Sequence, residues 1–200
     1  MLPDVFTSIA KEFREHGFSL YMVGGTSRDF LLGKSIEDFD FATDATPDDM
    51  KTFYPNSDYT FSRFGCVKIK FNETHVDITT LRVESGYIDY RHPSKIIFCK
   101  SIFVDSFRRD FTINALYIDL DENVYDFHQG IKDLRGSLIR FIGNPATRIK
   151  EDPLRILRAE RFSSRLGFEI EASSKIAISS SYNLLDNLNP EKVFMERKKK

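Results

Sequence analysis

The segment Asp38-Phe39-Asp40-Phe41 alternates acidic and aromatic side chains, and this alternation strongly limits what the local chain can form. On a β-strand, residues two apart face the same side, so Asp38 and Asp40 would share one face and the phenylalanines would pack on the other. Neighbouring carboxylates repel each other, and without a counter-charge one of them should stay protonated. A bound divalent cation removes that conflict, and oxygen ligands favour Mg²⁺ or Mn²⁺. The alternative interpretation is an exposed polar sheet edge, because the D-x-D pattern is short.

A third carboxylate is expected from the segment His75-Val-Asp-Ile-Thr-Thr80. Val76 and Ile78 would take one face of this predicted strand, which leaves Asp77 on the other. If the strand lies beside the first one, Asp77 comes close to the same cation.

A glycine pair, Gly24-Gly25, lies between a predicted strand (18–23) and a predicted helix (26–33). Glycines at such a junction let backbone N–H groups approach an anion, and a helix N-terminus favours negative charge. Arg28 is expected in the first turn of that helix. A Gly-Gly pair by itself more often marks a tight turn. Together with two carboxylates about a dozen residues later, it predicts a triphosphate held against a metal ion.

The remaining periodicity predicts an α+β region followed by helices. Helical spacing covers residues 2–17, Thr46 is a candidate helix cap, and residues 66–71 and 75–80 can pair as a hairpin. Further strands are expected at 113–120, 123–127 and 138–143, with a long polar loop at 82–95. Strand signals stop after residue 143, and we place a domain boundary there.

Composition narrows the class of protein. The 200 residues suffice for one large or two small domains, and a net charge of −1 means that a nucleic-acid partner would need a local basic surface. Basic residues do cluster late in the chain. The two cysteines and their spacing favour neither a disulfide framework nor a zinc site. No signal pattern and no apolar run of about 20 residues is present, so a cytoplasmic protein without a membrane span is expected.

The segment Glu151–Arg161 carries charged residues at every third position, with apolar residues between them. Each three-residue step drifts about 60° around a helix, so the charges cover roughly half of its circumference. This pattern favours a helix contacted on several sides, with charges directed into a cleft. The alternative is a solvated face with i,i+3 ion pairs. The residues concerned are Asp152, Arg155, Arg158 and Arg161.

Four ordered segments carry a family resemblance: VGGTSRDFLLG (23–33), EDFDFATDATP (37–47), RRDFTINALYID (108–119) and RFIGNPATRIKEDPLRILRAERFSSRLGF (140–168). They resemble the class II tRNA nucleotidyltransferase and bacterial poly(A) polymerase family over most of residues 18–170. The resemblance implies an α+β nucleotidyltransferase head at 1–143, with a small mixed or antiparallel sheet flanked by helices. An all-α neck at 144–200 would follow.

The resemblance also implies roles for single residues. Asp38 and Asp40 would bind two Mg²⁺ ions that activate an RNA 3′-hydroxyl and hold the triphosphate. Asp77 is added to this catalytic set from strand geometry alone. Asp152 and Arg155 would contact the nucleobase, accepting CTP and ATP and rejecting GTP and UTP, while Asp110 and Asn114 would recognise sugar or fix a loop. The full nucleotide-binding set is Gly24, Gly25, Arg28, Arg109, Asp110, Asn114, Asp152, Arg155, Arg158 and Arg161.

Two features favour CCA addition to the tRNA 3′ end within this family. The segment Phe64-Gly-Cys-Val67 resembles a strand usual in CCA-adding enzymes, with Cys66 in place of threonine, and the segment 81–98 linked to the switch from C to A has full length. CC-only or A-only addition and poly(A) synthesis stay open. The family normally continues with a helical body and tail, so the chain is expected to be either a head-and-neck fragment or a minimal enzyme. A nucleotide-binding module without full tRNA activity is the alternative.

Overall fold

A computed structural model describes residues 1–87 and 93–199, and contacts between residues divide them into two compact units. The first unit comprises Met1–Val83, Ile96–Arg108 and Asn114–Phe127. The second comprises the described residues within Glu84–Lys95, Arg109–Ile113 and His128–Lys200. The functional division into a head and a neck at residue 143 has different bounds and remains a prediction.

The helices and strands follow one another along the chain with short connections. The strands are β1 Leu20–Met22, β2 Phe39–Thr43, β3 Cys66–Phe71, β4 Thr74–Thr80, β5 Arg82–Tyr87, β6 Pro93–Phe98, β7 Leu116–Ile118, β8 Val124–Asp126, β9 Leu138–Ile139 and β10 Glu169–Ile170. The α-helices are α1 Asp4–Glu15, α2 Gly24–Leu31, α3 Pro47–Phe53, α4 Ile102–Ser106, α5 Gly130–Arg135, α6 Pro145–Glu151, α7 Leu154–Leu166, α8 Ala172–Ser181 and α9 Pro190–Lys198.

A mixed sheet forms the centre of the first unit, with the strand order β3-β4-β2-β1-β7-β8. Strands β2 and β4 are parallel, and the other neighbouring pairs are antiparallel. The apolar face of α1 packs on this sheet, and the rings of Phe6 and Phe41 meet edge to face at 5.1 Å. The predicted class, a small mixed sheet flanked by helices, is confirmed.

Local sequence signals explain why these elements begin and end where they do. Helix α3 starts with a reciprocal capping box, in which Thr46 accepts from the Asp49 N–H and Asp49 accepts from the Thr46 N–H. The predicted hairpin of β3 and β4 is present, and its turn contains Asn72 at φ +53°. Asparagine tolerates this left-handed conformation better than most residues, which makes the short connection possible.

The prediction of a long loop at 82–95 is wrong for the residues that the structure describes, because β5 and β6 pair as a separate two-stranded sheet. Most of their described side chains are exposed, including Val83 and Ile97. A ribbon that buries neither face needs no alternation of apolar residues, so the polar composition concealed it. Residues 88–92 of that predicted loop lie outside the described residues.

The second unit is mainly helical and contains α5 to α9 together with the short strands β9 and β10. Its core includes Phe111, whose ring lies 4.9 Å from that of Phe141 and 5.7 Å from that of Phe162. The expectation that strands stop after residue 143 is wrong at one place, because β10 pairs in parallel with β9. A two-residue strand is too short to leave a periodic signal in the sequence.

Candidate functional site

The glycine pair lies directly beside Asp40. Strand β1 leads into Val23, whose N–H donates to the carbonyl of Asp40 at 3.2 Å, and Gly24 follows at φ +66°. A Cβ atom placed on Gly24 would lie 3.5 Å from Asp40 Oδ2. The glycine therefore provides both a left-handed backbone conformation and open space next to the carboxylate. Gly24 and Gly25 form the first turn of α2, rather than preceding a helix that starts at residue 26 as expected.

Thr26 fixes the backbone of the carboxylate segment, and sequence reasoning missed it. Its hydroxyl accepts the N–H of Asp40 at 2.7 Å and donates to the carbonyl of Asp38 at 3.0 Å. Thr26 is fully buried, so these two bonds hold the segment without competition from water. A hydroxyl residue directly after the glycine pair was the only signal in the sequence.

Arg28 lies under the glycine turn with 1% of its surface exposed. Its guanidinium donates to both oxygens of Asp29, at 2.8 and 2.7 Å, and to Asn114 Oδ1 at 2.9 Å. Arg28 belongs to the last turn of α2, so its expected place in the first turn is wrong. Its guanidinium nevertheless lies close to the turn, since a Cβ on Gly25 would be 3.6 Å from Nη2. The phosphate-binding role of Arg28 and the sugar-binding role of Asn114 remain predictions.

Asp40 and Asp77 are neighbours across the parallel strands β2 and β4, where they form a register pair. Val76 and Ile78 are fully buried while Asp77 is exposed, as the alternation predicts. Asp77 is in turn paired with Lys68 of β3, whose Nζ lies 3.1 Å from Oδ1. This hydrogen-bonded contact and the charge of Asp77 raise the pKa of the Lys68 amine. A row of charged side chains, Lys68, Asp77 and Asp40, thus crosses three strands.

Asp38 occupies a different position from the one expected, because β2 begins at Phe39. It is exposed and lies one residue before the strand. Within residues 1–87 and 93–199, no three side chains of His, Cys, Asp or Glu lie close enough to hold one metal ion together. Mg²⁺ commonly takes only one or two protein carboxylates and completes its shell with water and phosphate oxygens. The Asp40 carboxylate beside Gly24 provides oxygen donors of this kind.

The second unit contains its own charged cluster, centred on Asp110. One oxygen of Asp110 accepts from Arg155 Nε at 2.5 Å and the other accepts from Arg158 Nε at 2.7 Å. Arg158 also donates to Asp152 Oδ2 at 2.7 Å. Burial alone would raise the pKa of Asp110, but the charges of Arg158 and Arg155 lower it well below its usual value. Asp110 thus fixes both arginines, and the alternative of a solvated helix face is excluded for Arg155, which is 3% exposed.

The other predicted residues of this unit are Asp152, Arg161 and Arg109, and each makes contacts of its own. Asp152 is not helical, because it connects α6 to α7 with φ −149°, and its Oδ1 accepts from the N–H of Leu154. Arg161 pairs with Glu196 of α9 at 3.2 Å, a partner that the sequence did not indicate. The carbonyl of Arg109 accepts from Arg148 Nη2 at 3.0 Å. The structure therefore brings Asp110, Asp152, Arg155 and Arg158 together. It gives Arg161 a partner outside this cluster.

Comparison with known proteins shows similarity in sequence over most of the chain. Residues 20–140 match the family model described as the poly A polymerase head domain. The chain is 41% identical over 195 residues to a CCA-adding enzyme of Lactobacillus johnsonii, covering 96% of this chain and 49% of that protein. It is 38% identical over 191 residues to a CCA-adding enzyme of Staphylococcus epidermidis, covering 96% of this chain and 48% of that one.

Solved structures of CCA-adding enzymes and tRNA nucleotidyltransferases are also similar to this chain. The Bacillus stearothermophilus CCA-adding enzyme in complex with CTP has a TM-score of 0.88 and 33% identity, over 98% of this chain and 48% of that chain. A tRNA nucleotidyltransferase complexed with a primer tRNA and an incoming ATP analog has a TM-score of 0.78 and 30% identity, over 95% of this chain and 55% of that chain.

The family model of the head domain matches more than half of the chain, and this match defines the class of the protein. The chain belongs to the class II tRNA nucleotidyltransferase and bacterial poly(A) polymerase family, as the sequence motifs predicted. It spans about half the length of the curated relatives that it matches. Enzymes of this family generally use a divalent metal ion. None of the helices in the described part of the chain is both long and apolar enough to cross a membrane.

Proposed function

We propose that this chain carries the nucleotidyl-transfer machinery of a CCA-adding enzyme, which adds C, C and A to tRNA 3′ ends from CTP and ATP without a template. The observation that carries the proposal is the position of Asp40, in register with Asp77 and 3.5 Å from the Cβ position that Gly24 leaves open. Carboxylates beside an open backbone turn suit a reaction in which a metal-bound triphosphate meets a hydroxyl nucleophile.

In the proposed reaction, the 3′-oxygen of the RNA attacks the α-phosphorus of the nucleotide. The new bond joins this oxygen to the α-phosphorus, the bond from the α-phosphorus to the bridging oxygen breaks, and pyrophosphate leaves. The proton of the hydroxyl passes to water or to Asp77. Two Mg²⁺ ions held by Asp38 and Asp40 would lower the pKa of the hydroxyl and offset charge on the leaving pyrophosphate.

The glycine turn is the proposed cradle for the phosphates. The first N–H groups of α2 have no partners within the helix, and the helix dipole adds partial positive charge at Gly24 and Gly25. Arg28 lies beneath this turn, where its guanidinium is held by two hydrogen bonds to the carboxylate of Asp29. Arg109 would contact the nucleotide from the other matched motif.

The cluster around Asp110 is the proposed determinant of base selection. An aspartate accepts from an exocyclic amine and an arginine donates to a ring nitrogen or oxygen, and cytosine and adenine both offer this combination. Asp152 and Arg155 would supply the two groups. Asp110 and Arg158 would hold these two side chains in place. Asp110 accepts hydrogen bonds from Arg155 and Arg158, and Arg158 donates a hydrogen bond to Asp152. Arg161 would contact the nucleotide or orient the pair.

The tRNA 3′ end, CTP and ATP are the proposed substrates. The named complexes support this assignment, since one similar structure contains CTP and another contains a primer tRNA with an ATP analog. A cytoplasmic location forms part of the proposal, because tRNA is the substrate and Cys66 and Cys99 are both free thiols.

Incubation with Mg²⁺, labelled CTP or ATP and tRNA lacking its 3′ CCA tests the proposal. A sequencing gel separates CCA, CC-only, A-only and poly(A) products. We expect two additions from CTP and one further addition when ATP is present. If CTP and ATP bind but no nucleotide is incorporated, the chain is a nucleotide-binding module. That outcome is the second candidate, because the chain spans about half of its relatives.

A further inference from the structure

A cavity of about 300 Å³ opens beside Asp40 in the first unit. Its size lies at the lower end of the range for cavities that hold small molecules. Strands β2, β4 and β3 contribute polar side chains to it, and the segment before β3 contributes two aromatic rings. The lining residues used below are Asp40, Asp77, Lys68, Phe61 and Phe64. We call this space the Phe61 cavity.

The Phe61 ring is 51% exposed and is carried by a fixed turn. The carbonyl of Phe61 accepts the N–H groups of Phe64 and Cys66, at 2.9 and 3.3 Å. Asp58, three residues earlier, exchanges two backbone hydrogen bonds of 3.0 Å with Lys68 of β3. These bonds hold the turn against the sheet, so the exposed ring has a defined position at the wall of the cavity.

Among the residues that line the same cavity, Lys68 is cationic and Asp40, Asp58 and Asp77 are anionic. The Nζ of Lys68 lies 3.1 Å from Asp77 Oδ1, and its side chain is 51% exposed, so an anion at the cavity can reach the amine without unfolding anything. The exposed ring, the lysine and a carboxylate match the three parts of a nucleotide. The ring can stack on the base, the lysine can neutralise the phosphate, and the carboxylate beside the proposed reaction site can direct the hydroxyl.

We propose that the Phe61 cavity binds the terminal nucleotide of the RNA acceptor, with its base stacked on Phe61 and its 5′-phosphate near Lys68. The 3′-hydroxyl of that nucleotide then faces Asp40. This inference rests on the proposed function, in which the incoming base is held elsewhere, by Asp152 and Arg155. Stacking suits an acceptor that ends in the last base of the unextended tRNA before the first addition and in C before the next two, because each base has a face to stack and no base-specific hydrogen bond has to be replaced.

A photochemical crosslink tests the placement without requiring turnover. A minihelix RNA that ends in the first C of CCA carries 5-iodocytidine at its 3′ terminus, and mass spectrometry identifies the crosslinked residue after irradiation. We expect the crosslink at Phe61, competition by unlabelled minihelix, and no competition by CTP. Phe103→Ala is the matched control, since Phe103 is 50% exposed in the same unit and does not line the cavity, and it should leave the crosslink intact.

Affinity measurements test the two contacts separately. Phe61→Ala should raise the Kd for the minihelix by about 5- to 150-fold and leave the Kd for CTP unchanged, while Phe61→Tyr should restore binding. Lys68→Gln should weaken minihelix binding and reduce the slope of log Kd against log salt by about one phosphate contact. Lys70→Gln is its control, because Lys70 lies two residues along β3 with 56% of its side chain exposed and is paired with Glu73.

The outcomes separate this inference from the proposed function. A crosslink at Phe61 without any nucleotide incorporation would support the cavity and refute the transfer activity. Normal incorporation together with a crosslink elsewhere would refute the cavity and leave the transfer activity standing. Equal minihelix affinity of the Phe61→Ala and Phe103→Ala variants would also overturn the inference.

Discussion

Replacing Asp110 with asparagine should destabilise the protein, because Asp110 joins the side chains of Arg155 and Arg158. The carboxylate accepts from Arg155 at 2.5 Å and from Arg158 at 2.7 Å. Asparagine keeps the size of the side chain but loses its charge, which leaves both guanidinium groups without their shared counter-ion. Side-chain exposure is only 4% for Arg155, 20% for Arg158 and 22% for Asp110, so water cannot fully replace the lost partner.

The magnitude follows from this burial. Removing one partner of a buried ion pair costs about 3–5 kcal/mol. We expect about 3 kcal/mol here, because Arg155 keeps its pair with Glu151 and Arg158 keeps its pair with Asp152. With a urea m-value of about 2 kcal/mol/M, the midpoint should fall by about 1.5 M. Asp121→Asn is the matched control. Its ion pair with Arg14 has a similar distance of 2.8 Å but side-chain exposures of 62% and 56%, so its loss should cost about 0–1 kcal/mol.

The effect should depend on pH with a definite sign. The pKa of Asp110 in the folded protein is lowered from its ordinary value, so its contribution to stability is present above the unfolded pKa of about 3.9. It is lost as the pH falls through the lower folded pKa. Urea unfolding followed by far-ultraviolet circular dichroism at pH 7, 4 and 3 should show the full difference between wild type and Asp110→Asn at pH 7, most of it at pH 4 and a smaller difference at pH 3. A midpoint change no larger than that of Asp121→Asn, without pH dependence, would refute the reasoning.

Two further variants test other parts of the site. Thr26→Val removes the hydroxyl that bonds both Asp38 and Asp40, so unfolding free energy should fall by about 1–3 kcal/mol and the transfer rate should fall as well; unchanged urea midpoints and rates would contradict this role. Asp152→Ala should relax discrimination against UTP more than it weakens metal binding, because Asp152 is assigned to the base and not to the metal. Competition between CTP and UTP for incorporation measures the discrimination, and an unchanged preference for CTP would count against this role of Asp152.

Elements whose signal is local were predictable from the sequence. The alternation around Asp77 correctly put Val76 and Ile78 in the core and Asp77 on the opposite face. The Thr46 cap and the hairpin turn at Asn72 were also predictable, because each depends on residues within one turn. The motifs at 23–47 and 108–168 predicted the family, which the head-domain match confirms.

Features that depend on partners distant in the chain were not predictable in the same way. The ribbon of β5 and β6 is held by backbone pairing and carries no apolar pattern. Asp110 finds its arginines 45 and 48 residues away, and no periodicity relates these positions. Thr26 likewise acts through bonds to a segment on a neighbouring strand. The motif resemblance pointed to Asp110, whereas Thr26 was missed, and only the fold supplied the partners of both residues.

The transfer rate of Asp40→Asn tests the central claim most directly. Single-turnover addition of CTP to tRNA lacking CCA should fall by at least about 10³-fold, because asparagine cannot supply the negative charge that holds the metal ion. Wild-type and variant proteins should show the same urea midpoint, which establishes that the fold is retained. A variant that adds CTP within about tenfold of the wild-type rate would contradict the assignment of Asp40 as the residue around which the reaction is organised.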